Sequence, residues 1–176
     1  ILIYGFKKTK SSFTEVFHLK LFNPLVIIPV ITFFWGAHNV LEVVNNAVEK
    51  VVPAPPWFWE LFSKVFESDY GWWGAFLKVV VIAPIIEELI FRGLILHGLR
   101  RNYRPVTAVL VSALLFSLFH LNPLQKPATF VLGVLLGWLM LRTNSIVLAI
   151  LGHAINNLMV LLTITYWEQL SNYAIF

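Results

Sequence analysis

Seven residues with the potential for chemistry recur at helical spacing along the second half of the chain. Glu87 and Glu88 stand side by side in the apolar run from Val79 to Arg92. A charged side chain at membrane depth costs roughly 3 kcal/mol on insertion scales. Two adjacent carboxylates also repel, so at least one is expected to be protonated or paired. Glu88 and Arg92 are four apart, share a helix face and can form an ion pair. Glu87 is rotated by about 100° from Glu88 and looks elsewhere. Phe116 and His120 are four apart, and so are His153 and Asn157. Phe116 is read as a wall of the site. Asn156 lies one residue off the His153 face and is read as a packing or supporting group.

A carboxylate, two imidazoles and a carboxamide can thus converge between three helices, buried against one another rather than against lipid. Glutamate is a general base, and burial moves its pKa toward a working value. A neighbouring histidine can share the proton. A histidine and an asparagine on one face can donate to a developing oxyanion. Together these groups suit hydrolysis of an acyl bond, a peptide bond foremost, inside the membrane. Glu87, His120 and His153 are also a zinc ligand set, so a divalent metal remains open, although no cofactor is required and no His-Glu-x-x-His helix occurs. The chain has no Gly-x-Ser-x-Gly elbow, no Walker loop and no intramembrane aspartate pair, Asp69 being its sole aspartate. It has no cysteine, which removes thiol nucleophiles and disulfides.

These residues need helices to hold them. Of 176 residues 59% are hydrophobic and 12% charged, with mean hydropathy +0.78; a soluble domain is nearer about 45–50% apolar and about 25% charged. The apolar runs are continuous rather than alternating, so an all-α polytopic transmembrane bundle is expected, not a barrel. Residues 1–20 read as a juxtamembrane segment, 21–166 as a single transmembrane domain and 167–176 as a tail. Five spans are expected, near 21–44, 72–99, 106–121, 128–141 and 145–166, with a short interfacial helix around Trp57–Phe62. Pro84 is expected to kink the second span.

Alternating spans put Lys7, Lys8, Lys10, Lys20, Arg100, Arg101, Arg104 and Arg142 on one side, which the positive-inside rule makes cytoplasmic together with the N-terminus. No signal peptide is expected from the opening residues. His18, His38 and His97 read as interfacial or loop residues, Lys78 as snorkelling, and Glu42 as facing the bundle or marking an early end of the first span. At about 1.5 Å per residue, Glu87 lies near mid-membrane, His153 toward the cytoplasm and His120 toward the outside. That ruler alone holds the three apart.

Three motifs in order, Glu-Glu-x-x-x-Arg at Glu87, Glu88 and Arg92, Phe-x-x-x-His at Phe116 and His120, and His-x-x-x-Asn at His153 and Asn157, make the chain resemble the CAAX-processing and bacteriocin-processing membrane proteases, which include the type II CAAX prenyl endopeptidases. Residues 142–146 add to the resemblance, which covers about 75–160. It implies an intramembrane endopeptidase in which Glu87 and His120 activate water while His153 and Asn157 stabilise the oxyanion. It implies a glutamate mechanism, although the family has been labelled metalloprotease, and a membrane-associated, prenylated or leader-bearing peptide as substrate. A bacterial cell membrane is the expected location, with lipid, peptide substrate and membrane-complex subunits as partners; no basic patch suggests nucleic acid. Two other classes stay open: a non-catalytic or immunity-type subunit of a larger complex, and a proton-coupled carrier. The carrier predicts repeat symmetry, of which the sequence has no sign.

Overall fold

The computed structural model describes residues 14, 17–19, 22–57, 60, 64, 70–120 and 122–173, with side chains to residue 166. Most of the juxtamembrane segment and of the expected interfacial helix near Trp57 lies outside the described residues. Among the described residues there are five helical rods and no strand. Helix α1 (Ile27–Val51) follows a 3-10 turn at Pro24–Val26. Helix α2 covers residues 71–99. Helix α3 is Pro105–Phe119, α4 is Lys126–Thr143 and α5 is Ile146–Tyr173. By length and composition, α1 with its 3-10 turn, α4 with its own, and α5 as far as Tyr166 are long and apolar enough to cross a membrane; α3 is a shorter apolar helix.

The boundaries differ from expectation for local reasons. Helix α1 runs on to Val51, so Glu42 lies inside the helix and does not mark its end. Helix α3 stops at Phe119 because His120 is already extended (φ −73°, ψ 124°). Asn122 then accepts from the Leu124 N–H and Pro123 opens a new 3-10 turn. Helix α4 ends at Asn144, which takes a left-handed conformation (φ 52°) that asparagine tolerates. Helix α5 bends at Tyr166, and the residues read as a tail continue as helix to Tyr173.

The α3–α4 hairpin forms one wall of the bundle, α1 packs on α4 and α5, and α2 packs on α3 and α5. In α3, Val106, Leu110, Leu114 and Leu118 recur every four residues and are exposed, while Ala108, Ser112 and Phe116 are buried on another stripe. The interior carries Glu88, Arg92, Ser112, Ser117, His153 and Asn156. Polar groups inward and aliphatic groups outward is the arrangement lipid demands. Close helix contact depends on glycine: a Cβ on Gly133 would lie 3.0 Å from Ala113 Cα, and one on Gly152 would lie 2.5 Å from the Phe34 ring.

Helix α2 is not one regular α-helix. Its glutamates occupy an α-helical turn, Ala83–Glu88, between two π-helical stretches, Phe76–Ile82 and Leu89–Leu96. Within the first, Ala83 N–H reaches back to Lys78 C=O. The next bond in that register would join residue 84 to Val79, but Pro84 has no N–H. Asn157 of α5 supplies the donor instead, its Nδ2 lying 3.0 Å from Val79 O. Within the second stretch, Ser112 Oγ donates to Phe91 C=O at 2.9 Å. Foreign donors thus accompany both departures from α geometry.

Candidate active site

The polar residues of α2, α3 and α5 meet at one place. Arg92 Nη1 donates to Glu88 Oε1 at 2.8 Å, the i,i+4 pair anticipated from spacing, and both side chains are fully buried. Arg92 Nη2 donates to Gly133 C=O at 3.0 Å and so ties α2 to α4. The guanidinium carbon sits 4.5 Å from the centre of the Phe116 ring. Glu88 Oε1 also lies 2.9 Å from His153 Nδ1. Glu88 is therefore more than a partner for Arg92; it joins α2 to α5 and orients an imidazole.

Glu87 faces a different group. Its Oε2 is 3.9 Å from Nε2 of both His120 and His153. That oxygen is buried and has no protein hydrogen-bond partner. The histidine tautomers follow from the other ring nitrogens. His120 Nδ1 is 2.9 Å from Phe116 C=O, which can only accept, so Nδ1 carries the proton. His153 Nδ1 faces Glu88 in the same way. In their neutral forms both rings direct the Nε2 lone pair at Glu87. Phe116 is fully buried between them, its ring centre 4.8 Å from that of His120 and 5.5 Å from that of His153.

The convergence that the uniform ruler denied has two causes. His120 lies just past the end of α3, and its ring turns back to cap the Phe116 carbonyl of the last turn. Helix α5 begins inside the protein: Ile146 is fully buried and its N–H is 3.4 Å from His18 C=O. Phe17 beside it is buried against Gly93 and Ile146. Starting from that inset position, His153 needs only two turns to reach the glutamates.

Asn157 lines the same cavity but spends one amide N–H on Val79. Asn156, buried beside it, donates to Asn157 Oδ1 at 3.4 Å and also lines the cavity. His38, read as interfacial or in a loop, is in fact buried on α1 and reaches the cavity wall, as does Lys78. His18 and His97 contact each other at the far end, Nε2 to Nδ1 at 3.2 Å. The cavity around Glu87, His120 and His153 has a volume of about 340 Å³. The roles of Val79 and Gly133 were not readable in advance, since backbone carbonyls carry no residue signature; Pro84, by removing an N–H, was the one available clue.

Ligands sharing a zinc ion lie about 2.0–2.2 Å from it. Although two Nε2 lone pairs converge as in metal sites, among the described residues no group of three histidine, aspartate or glutamate side chains is arranged to hold an ion.

The profile of the Rce1-like family, the type II CAAX prenyl endopeptidases, matches residues 69–159, more than half of the 176-residue chain. No curated protein and no solved structure matches the chain. The matched stretch runs from the start of α2 into α5 and includes Glu87, Glu88, Arg92, Phe116, His120, His153, Asn156 and Asn157. With its site built from α2, α3 and α5 inside an apolar helical bundle, the chain belongs to the Rce1-like family of CAAX-type intramembrane proteases.

Proposed function

We propose that the protein is an intramembrane endopeptidase that uses a glutamate-activated water. The observation that carries this reading is the unpaired Glu87 Oε2, 3.9 Å from two imidazole Nε2 atoms and opening into a cavity. A water at Glu87 donates one hydrogen to Oε2 and the other to His120 Nε2, which leaves an oxygen lone pair aimed at the substrate carbonyl. As the C–O bond forms, the proton passes to Glu87. His153, protonated, donates from Nε2 to the oxyanion, its charge balanced by Glu88 at Nδ1, and the second Asn157 amide N–H assists. The C–N bond then breaks, the leaving amine takes the proton from Glu87, and the carboxylate is restored. Glu88 and Arg92 act by positioning.

Glu87→Gln is expected to lower turnover of a membrane-anchored peptide reporter by at least about 100-fold, the lower end for removal of a general base, with unchanged membrane insertion and thermal stability. Turnover within a few-fold of the parent would sink the assignment. A divalent metal held by Glu87, His120 and His153 is the alternative chemistry, and prior dialysis against a strong chelator separates the two: the water mechanism predicts full retention of turnover. We further propose a bacterial cell membrane with the N-terminus cytoplasmic, and a lipid-bound, prenylated or leader-bearing peptide as substrate.

A further inference from the structure

A second chamber joins the cavity at Glu87 and is the larger of the two, at about 600 Å³. Glu42, Asn45, Asn122, Gln125 and Val160 line both, so the two adjoin. Its α1 wall consists of Glu42, Asn45, Asn46 and Glu49, spaced at i, i+3, i+4 and i+7 on one helix face. The neighbouring Val40 and Val43 are exposed on the outside of the bundle. A polar stripe on a membrane helix is costly unless it faces water or a ligand. Among the described residues two carboxylates line the chamber and no cationic side chain does; Lys78 lines the deeper cavity.

The chamber also offers unused hydrogen-bonding atoms. Asn122 is 7% exposed, and its Nδ2 has no partner while its Oδ1 holds the Leu124 N–H. Asn45 Oδ1 is buried and likewise has no partner. One free donor and one free acceptor, both on the path to Glu87, suit the C=O and N–H of an extended peptide. The carboxylates beside them suit a cation.

Resting on the endopeptidase reading, we propose that this chamber is a substrate subsite that selects a peptide with a lysine or arginine near the scissile bond. Asn45 and Asn122 hold the peptide backbone, and Glu42 with Glu49 receive the cationic side chain. The acidic chamber thereby excludes peptides with acidic residues at that point through like-charge repulsion.

The test uses two farnesylated fluorescent peptides, identical except for a flanking Lys-Lys or Glu-Glu pair. Binding to purified Glu87→Gln protein is measured by anisotropy in uncharged detergent, and cleavage by the parent protein is measured in parallel. The Lys-Lys peptide is expected to bind about tenfold more tightly at low salt. That ratio is expected to fall below about twofold in Glu42→Gln/Glu49→Gln. Glu49→Lys, changed nearer the end of α1, is expected to favour the Glu-Glu peptide and guards against misfolding of the double variant. Equal binding of the two peptides, or a ratio that survives both changes, overturns the subsite. A charge preference in binding without cleavage of either peptide upholds the subsite and counts against the hydrolase. Cleavage of both at equal rates does the reverse.

Discussion

Glu87 and Glu88 are adjacent in sequence yet occupy different environments. Glu88 Oε1 meets Arg92 and His153 at 2.8 and 2.9 Å with no exposure, whereas Glu87 Oε2 is unpaired beside a cavity. Glu88 Oε1 is thus held by two other side chains, whereas Glu87 Oε2 is left facing the cavity beside the two imidazoles. Buried ion pairs contribute little net stability when intact but cost heavily when broken. Arg92→Ala is therefore expected to destabilise the protein by about 3–5 kcal/mol, seen as a marked fall in the thermal midpoint in detergent. Arg92→Ala/Glu88→Gln is expected to recover part of that loss, because the uncompensated charge is gone. Equal midpoints for the single and double variants would show that the charge is not the cause. The i,i+4 spacing made the Arg92 contact legible in advance, but nothing in spacing revealed that His153 shares the same oxygen.

At the scale of the element, the first π-helical stretch of α2 ends against Pro84. The missing N–H leaves Val79 C=O to the Asn157 amide, so α2 and α5 are stitched where the glutamate-bearing turn begins. Leaving that carbonyl without a donor costs about 1–3 kcal/mol. Asn157→Ala is expected to show this loss in the parent. In a Pro84→Ala background, where residue 84 regains its N–H, the cost is expected to fall below about half that amount, giving measurable coupling between positions 84 and 157. Thermal denaturation of the four proteins gives the cycle; strict additivity would show that Val79 is not the shared partner. An irregularity of α2 near Pro84 was readable from the proline alone. The π stretches were not, because they depend on which foreign side chain supplies the substitute bond.

For the whole molecule, the arginine-bearing turns and the acidic chamber lie at opposite ends. His18, His97, Arg100, Arg101 and Asn144 gather around one pocket, which brings His18 to the same end as the two arginine-bearing turns. The chamber lined by Glu49, Asn122 and Thr163 opens at the other end. Arg-rich turns are retained in the cytoplasm, so the substrate chamber is expected to open away from it. The chain contains no cysteine, and single introduced cysteines can report this. A membrane-impermeant maleimide added to intact bacterial cells is expected to label Val52→Cys and spare Asn102→Cys, both being exposed positions. The opposite pattern would invert the orientation and the side from which substrate arrives.

Composition and spacing alone determined the solvent and the cast: an apolar helical bundle, the faces that pair Glu88 with Arg92, and the seven residues of the three motifs. Those properties are local, since hydropathy and a 3.6-residue period act within one helix. Depth and partnership were decided only by the tertiary structure. A ruler that starts every helix at the same plane separates His120, Glu87 and His153. The fold brings them together because α5 starts inside the protein under the His18 carbonyl and His120 turns back past the end of α3. It also moved His38 into the interior and decided between the two readings of Glu42, which lies within α1 and lines a chamber. Each of these outcomes depends on backbone groups and helix offsets between segments distant in sequence, which no periodicity within a single segment encodes.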